Sequence, residues 1–361
     1  SDLRSLDSGP TRYKLGTNFV DLHHDYLLPG LIEIHTDHLE SQFQPRPGVL
    51  WPSSLAALTA HDAQVVAAGI TTVLNGVCCG QVQDGKMRHK LLGLSLEALT
   101  SAKQEQILRA DHYLHLRCEI CDPTILEIVR PHLENPWIKL VSLMDHTPGQ
   151  RQFADPLKYR RYYGHMNWSD QEFESAVKAM QGTQGRLAAD QRKALLEMLR
   201  QRQIPMASHD DTLAEHVREA ASEGMVISEF PTSLEAAATA NELGLKTVYG
   251  APNVVQGASH SGNVSALEVA EQGFLDMLSS DYVPGSLLHG AFVLNQRLGF
   301  SLPKAMRTVT ATPASLLDLS DRGVLEPDKR ADLLRVREIG QLPVVQSVWV
   351  KGTLVFTNNR Q

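Results

Sequence analysis

Short apolar runs alternate with longer amphipathic stretches along most of this chain, from about Leu31 to Leu278. Eight runs have the length and β-branched content of buried strands, namely Leu31–Ile34, Ile70–Val77, Tyr113–Arg117, Ile138–Met144, Ile204–Ser208, Met225–Phe230, Lys246–Tyr249 and Phe274–Ser279. The stretches between them have helical spacing, for example Leu55–Ala68, Gln191–Arg202, Leu213–Ser222, Leu234–Leu243 and Val264–Glu271. This alternation predicts a parallel sheet, and eight units in about 250 residues fit a (β/α)8 barrel. A doubly wound open sheet has the same alternation and is the alternative.

The two ends of the chain have a different pattern. The segment Ala331–Phe356 predicts two or three short strands with a turn at Lys351-Gly352, and the first 29 residues are weakly patterned. We therefore predict a small β-layer built from residues 1–29 and 324–361, beside a barrel spanning residues 30–323. The N-terminal side of this layer is short, so we expect the chain to begin inside it.

One connection of the predicted barrel, residues 146–189, is far longer than a usual βα loop. It carries a cluster of basic and aromatic side chains, namely Arg151, Lys158, Tyr159, Arg160, Arg161, Tyr162 and Tyr163. Long insertions at the carboxyl-terminal face of a barrel often fold over an active site. We interpret the segment as a lid, with a solvated surface excursion as the alternative.

The overall composition excludes several classes of protein. The chain has 34 Lys and Arg against 41 Asp and Glu, a net charge of −7, which argues against electrostatic binding of nucleic acid. No apolar run approaches the roughly 18 residues of a membrane helix, and no secretory signal pattern is present. Four cysteines, which we expect to be buried thiols, do not make a disulfide framework. We therefore expect a reduced, cytoplasmic protein, for which a homo-oligomer is compatible with the sequence.

Ligand-type side chains follow six of the eight predicted strands. These are His35 and Asp37, Glu119, Asp145 and His146, His209 with Asp210 and Asp211, Glu229, and Asp281. The carboxyl ends of barrel strands converge on one face, and alternate residues of a strand point the same way, so His35 and Asp37 can share a metal. Imidazole with carboxylates suits one or two ions of Zn²⁺, Mn²⁺ or Fe²⁺. Each residue alone has a structural explanation, and we expect Asp210 or Asp211 to cap the next helix.

A glycine-rich stretch, Gly250–Asn263, follows the seventh predicted strand. Its glycines, hydroxyl groups and a helix start near Val264 predict a cradle for a phosphate or another anion. Neither the G-x-S-x-G elbow of serine hydrolases nor the P-loop pattern occurs in the chain. The sequence therefore favours metal-dependent chemistry over those two mechanisms.

Two segments resemble the amidohydrolase superfamily. The first-strand segment Pro29–Asp37 is similar to its opening signature, and Thr310–Ala314, Asp321–Gly323 and Lys329–Leu333 are similar to its closing segment. The superfamily usually has a second histidine where this chain has Asp37. That departure, with the further motifs, resembles one family, the α-D-ribose 1-methylphosphonate 5-triphosphate diphosphatases of the carbon–phosphorus lyase pathway. The further motifs are His35–Glu40, Pro45–Gly48, Leu143–Phe153, Ala207–Asp211, Glu229–Thr232, Gly250–Asn263 and Ser279–Tyr282.

The resemblance implies a barrel of the amidohydrolase type and a divalent metal, with zinc as the first choice and manganese or iron as alternatives. It implies hydrolysis of a ribose 1-alkylphosphonate 5-triphosphate, a small phosphorylated sugar, to the 5-phosphate and diphosphate in phosphonate catabolism. We expect His35, Asp37, Glu119 and His209 at the metal centre, with Asp145, His146 and Glu229 as ligands or as partners of ligands. Asp281 is expected to be the base, acting with His209 at the catalytic centre. The expected substrate-binding residues are Arg46, Arg117, Arg151, Lys158, Arg160, Arg161, Asn253 and His260.

Two other functions remain open at this point. The same residues would serve an amidohydrolase acting on a C–N bond, such as a deaminase or deacylase, although the basic lid and Asp37 count against it. A degenerate barrel acting as a non-catalytic binding subunit is the second alternative. It would be favoured if the ligand positions held Ala, Leu or Gly, and they do not.

Overall fold

The computed structural model describes residues 22–46, 48–80, 87–164, 167–259 and 262–358. Eight parallel strands form one sheet in sequential order. They are β2 (Leu31–Thr36), β3 (Ile70–Cys79), β4 (Asp111–Glu119), β5 (Ile138–Met144), β6 (Met206–His209), β7 (Ile227–Glu229), β8 (Lys246–Gly250) and β9 (Met277–Ser279). A parallel bridge between Thr36 and Asp281 joins the two ends of this sheet. The predicted barrel is thus confirmed, and the open sheet is not observed.

Helices lie between and after the strands along the chain. They are α1 (His38–Phe43), α2 (Ser54–Ala67), α3 (Met87–Gln104), α4 (Ile125–Val129), α5 (Pro156–Tyr162), α6 (Asp170–Arg202), α7 (Ala214–Ser222), α8 (Leu234–Leu243), α9 (Ala251–Gln256), α10 (Ala266–Glu271), α11 (Ser286–Leu298), α12 (Leu302–Arg307) and α13 (Ala311–Leu316). Single 3₁₀ turns lie at Arg130–His132 and Arg151–Phe153. Every residue of β2 and β3 is buried, because side chains fill the barrel inside and helices cover it outside. Burial on both faces explains why these strands are rich in apolar and β-branched residues and do not alternate with exposed polar ones.

The chain ends form a second, antiparallel sheet in the order β1-β10-β11-β12. Its strands are β1 (Tyr26–Pro29), β10 (Leu333–Ile339), β11 (Leu342–Val350) and β12 (Thr353–Thr357). Leu334 and Val345 pack in one apolar cluster with Val65 and Val66 of α2, so this sheet and the barrel share a core. The predicted β-layer is therefore present, while residues 1–21 of it lie outside the described part of the chain.

The long connection after β5 is helical rather than a solvated loop. It contains the 3₁₀ turn Arg151–Phe153 and helix α5, and its second half belongs to α6, a helix of 33 residues that continues through the predicted Gln191–Arg202 helix. Phe153, Tyr159, Phe173 and Met180 form its own apolar cluster. A small separate core holds this connection as a folded cover. Among the described residues, no helix combines the length and apolar character needed to cross a membrane.

Candidate active site

A cavity of about 500 Å³ opens at the carboxyl-terminal end of the barrel. All eight barrel strands contribute to it, through residues in each strand or directly after it. These residues are, in strand order, His35, Cys78, Arg117, His146, His209, Phe230, Tyr249 and Asp281. The convergence that the strand ends predict is therefore observed.

The carboxylate of Glu229 holds two of the cavity histidines. Its two oxygens lie 2.6 Å from Nδ1 of His35 and 2.6 Å from Nδ1 of His209, and Ser142 Oγ donates to it at 2.8 Å. Burial raises the pKa of Glu229, but the charges and hydrogen bonds of the neighbouring histidines outweigh it and hold that pKa well below its usual range. An ionised carboxylate only accepts, so both Nδ1 atoms donate to it, and Nε2 is the ring nitrogen that each histidine has left for a metal. This is how carboxylates orient metal-binding histidines.

A second glutamate holds His146 in the same manner. Glu119 Oε2 lies 2.8 Å from His146 Nδ1, and Oε1 accepts from the backbone N–H of His146 at 3.2 Å. Burial alone would lower the pKa of His146, but Glu119 and Asp210 together raise it to about 9. Glu119 thus lies behind a histidine in the structure, as Glu229 does.

Two groups at the floor of the cavity have the donor atoms of a metal site. His146, His209 and Asp210 form one group, and His35, Asp37 and Asp281 form the other; within each group the ligand atoms lie within 4.8 Å of one another. Among the described residues, His35 Nε2 and Asp210 Oδ2 are buried without a hydrogen-bond partner. Buried lone pairs of nitrogen and oxygen that face a cavity fit a divalent ion. The predicted metal-binding character is thus supported, with no identity of the metal implied.

Arg117 lies between the two groups. Its Nη1 donates to both carboxylate oxygens of Asp37 at 2.8 Å, and its Nη2 lies 3.4 Å from His209 Nε2. Burial raises the pKa of Asp37, but the guanidinium outweighs it and the pKa is lowered. The carboxylate therefore faces a fixed positive charge inside the cavity.

Asp281 completes the rim beside Asp37. Its backbone accepts from Asp37 N at 2.9 Å and donates to the carbonyl of His35 at 3.2 Å. Its φ of 54° is in the left-handed region, which Asp tolerates better than most residues. This backbone directs the side chain into the cavity lining.

The structure divides the predicted site residues into three sets. His35, Asp37, Arg117, His146, His209, Asn253 and Asp281 line the cavity. Glu119 and Glu229 lie behind its histidines. Asp145 lies outside the lining, where it accepts from Thr147 N at 3.0 Å and from Gln184 Nε2 at 3.1 Å. The strand-end pattern located all of them on one face without distinguishing these positions.

The basic residues of the lid do not all face the cavity. Lys158 and Arg161 line an adjoining space of about 550 Å³, which shares Phe153 and Tyr162 with the inner cavity. Arg151, in contrast, is buried and pairs with Asp211.

Two further basic residues, Arg160 and Arg46, also lie outside the cavity lining. Arg160 pairs with Asp170 at 2.6 Å and donates to the carbonyl of Trp168 at 3.0 Å. Arg46 is exposed and outside the cavity lining. Arg151 and Arg160 are thus engaged by protein groups and Arg46 lies outside the lining, and contact of these three residues with substrate stays a prediction. His260 lies outside the described residues.

Sequence reasoning missed Asp210 as a site residue. Helix α7 begins at Ala214 with Leu213 at its N-cap, so the prediction that Asp210 or Asp211 caps it is wrong. Asp210 instead faces the cavity, and its position directly after His209 was the available signal. Glu40 and Arg88 also line the cavity, although neither was predicted as a site residue. The four cysteines are free and buried, as predicted.

Comparisons with known proteins identify relatives of this chain. The chain is 44% identical over 334 residues to α-D-ribose 1-methylphosphonate 5-triphosphate diphosphatase from Escherichia coli strain K12, covering 92% of this chain and 88% of that protein. No family model matches the chain.

Solved structures with the same fold are more distant. A crystal structure of an amidohydrolase superposes with a TM-score of 0.59 at 13% identity, covering 98% of this chain and 91% of that one. N-acetylglucosamine-6-phosphate deacetylase from Thermotoga maritima superposes with a TM-score of 0.57 at 14% identity, covering 93% and 90%. At such identities these structures show the fold alone.

Proposed function

Because this chain belongs to the family of α-D-ribose 1-methylphosphonate 5-triphosphate diphosphatases, we propose that it hydrolyses that triphosphate to the 5-phosphate and diphosphate. It is a hydrolase of phosphorus anhydrides that acts in phosphonate catabolism. The observation that carries the proposal is the inner cavity of oriented histidines and carboxylates beside an outer space with Lys158 and Arg161. Four free, buried cysteines suit a reducing compartment, and we place the enzyme in the cytoplasm.

We propose zinc as the resident ion, with manganese or iron as alternatives, because imidazole and carboxylate donors suit these metals. The residues that would hold it are His146, His209 and Asp210, or His35, Asp37 and Asp281. A divalent ion there would lower the pKa of a bound water to about 7 and offset negative charge on the phosphoryl oxygens. Glu229 and Glu119 keep the Nε2 atoms of the three histidines directed at the cavity.

The protein itself would move the proton. A carboxylate oxygen of Asp281 accepts it from the attacking water, because this side chain lines the cavity beside His35 and Asp37. General bases of this kind contribute about 10²- to 10⁴-fold to a rate. Backbone hydrogen bonds from Asp281 to Asp37 and His35 hold the base in position.

The two spaces would divide the substrate. The inner cavity of about 500 Å³ would take the sugar and the phosphate nearest to it. The outer space would take the departing diphosphate, whose negative charge is met by Lys158 and Arg161. Arg117 and Arg88 add positive charge within the inner cavity of an acidic protein.

A product analysis tests the proposal. Metal-loaded protein is incubated with α-D-ribose 1-methylphosphonate 5-triphosphate, and phosphorus NMR should show the 5-phosphate and diphosphate in equal amounts. A chelated sample is the control and should release neither. Turnover of acylated or amino substrates with no release of diphosphate would instead support an amidohydrolase acting on a C–N bond.

A further inference from the structure

We propose that the guanidinium of Arg117 is the second cation of this centre, so that the protein binds one divalent ion, at His146, His209 and Asp210. The proposal rests on the proposed function for the presence of a metal, but it concerns the number of ions and the residue that replaces one. It assigns different tasks to two groups that have similar donor atoms.

The carboxylate of Asp37 is bound by Arg117 and not by the neighbouring histidine. One nitrogen of Arg117 lies 2.8 Å from each carboxylate oxygen, whereas the nearer of those oxygens lies 3.6 Å from His35 Nε2. Both oxygens are therefore turned toward the guanidinium. A guanidinium does not lose its proton in proteins, so a divalent ion at Asp37 would meet a permanent positive charge at contact distance.

The surroundings of Arg117 show that the side chain is fixed there. It belongs to β4, its neighbour in register on β3 is Cys78, and 11% of its side chain is exposed. Its other terminal nitrogen lies 3.4 Å from His209 Nε2, which places the charge between Asp37 and His209. A second ion between Asp37 and His209 would therefore have to occupy the space of the guanidinium.

In the group of His146, His209 and Asp210, the aspartate is not held by an arginine of the described part of the chain. Asp210 Oδ2 lies 3.4 Å from His209 Nε2 and 3.6 Å from His146 Nε2, and it is buried without a hydrogen-bond partner among the described residues. Each of the two histidines is oriented by its own glutamate. Asp210 Oδ2 therefore keeps lone pairs for an ion, and the Nε2 atoms of both histidines lie within 3.6 Å of it.

In this position Arg117 could also bind a phosphoryl group of the substrate. Its Nε is buried without a partner among the described residues, while the side chain lines the cavity. Arginine suits phosphate because its planar N–H groups can bind two oxygens together. A guanidinium in place of a second ion would favour a phosphoryl group over a neutral amide carbonyl.

Counting metal ions tests the proposal without any substrate. Chelated full-length protein is titrated with Mn²⁺, bound metal is measured after desalting, and the EPR spectrum is recorded. We expect one equivalent per chain with the spectrum of an isolated Mn²⁺ ion. Two equivalents with an exchange-coupled spectrum would overturn the proposal. The count is read independently of turnover, so failure of the proposed substrate would leave it intact.

Variants locate the ion and test the role of Arg117. Arg117→Met should bind a second equivalent, because His35, Asp37 and Asp281 become available. Arg88→Met, which removes another cavity arginine, should keep one. Asp210→Asn should lose the ion and Asp37→Asn should retain it. A count of one in Arg117→Met, or loss of the ion in Asp37→Asn alone, would contradict the assignment. Wild-type protein still decides the number if Arg117→Met does not fold.

Discussion

At the residue scale, one carboxylate, that of Glu229, orients two histidines of the site. Its two oxygens accept from His35 Nδ1 and His209 Nδ1 at 2.6 Å each. A side chain with a single acceptor atom could not make both contacts. The two histidines belong to opposite sides of the barrel, on β2 and β6. One carboxylate at the end of β7 therefore links strands that are distant in sequence.

We predict that Glu229→Gln weakens metal binding about 10- to 100-fold, the usual effect of losing such a partner. The glutamine amide has one acceptor oxygen, so its NH₂ group would face the other Nδ1–H. Affinity is measured by competition with a chelator. Asp145→Asn is the control, because this buried strand-end carboxylate contacts Thr147 and Gln184. Unchanged affinity in Glu229→Gln would show that the contact does not orient the ligands.

A different result is expected for Asp281→Asn. We predict a decrease in kcat of about 10²- to 10⁴-fold with metal content retained, because the amide cannot accept the proton. Asparagine also tolerates the left-handed backbone at this position, where φ is 54°. Steady-state kinetics and metal analysis of the same preparation measure both effects. Wild-type kcat would exclude Asp281 as the base, and loss of the ion would make it a ligand instead.

The residue types of the site were more predictable than their roles. A strand end followed by His209 or Glu229 is visible in the sequence. Which of the two touches a metal depends on side-chain direction across the barrel, and Glu229 proves to lie behind His209. The burial of Arg151 was not predictable for a related reason, since its partner Asp211 lies 60 residues further along the chain.

At the scale of elements, the strands were predictable because burial on both faces leaves a run rich in apolar and β-branched residues, as in β3. The helices of the lid were less predictable from the sequence. Helix α6 is largely polar over its 33 residues, with buried positions such as Phe173 and Met180 far apart, so only its last turns showed a clear pattern. A helix that covers the protein with a narrow apolar stripe leaves little periodic signal.

For the lid, we predict that Lys158→Gln and Arg161→Gln raise KM for the triphosphate, while binding of the 5-phosphate product changes little. The effect should be about 1 kcal/mol or less per side chain, up to about fivefold, because such contacts are partly exposed. It should shrink at high salt. Arg160→Gln is the matched control, because its guanidinium pairs with Asp170. Equal losses for substrate and product would show that the outer space does not bind the diphosphate.

At the scale of the whole molecule, function comes from two units with separate cores. The barrel holds the histidines and carboxylates on eight strand ends, while the connection after β5 carries Lys158 and Arg161 on its own apolar cluster. The two units meet at Phe153 and Tyr162, which belong to both spaces. If the substrate occupies both spaces, the packing of the lid on the barrel would set the depth at which each phosphate lies.

This arrangement predicts which phosphorus atom is attacked. If the sugar and the α-phosphate occupy the inner cavity, water attacks the α-phosphorus, and diphosphate leaves toward Lys158 and Arg161. The new oxygen then stays on the sugar 5-phosphate. Attack at the β-phosphorus would give the same products with the oxygen on diphosphate, and attack at the γ-phosphorus would release orthophosphate first. A single turnover in ¹⁸O-labelled water, analysed by mass spectrometry, should label the sugar phosphate alone. Label in diphosphate would mean that the triphosphate lies one phosphate deeper than the two spaces indicate.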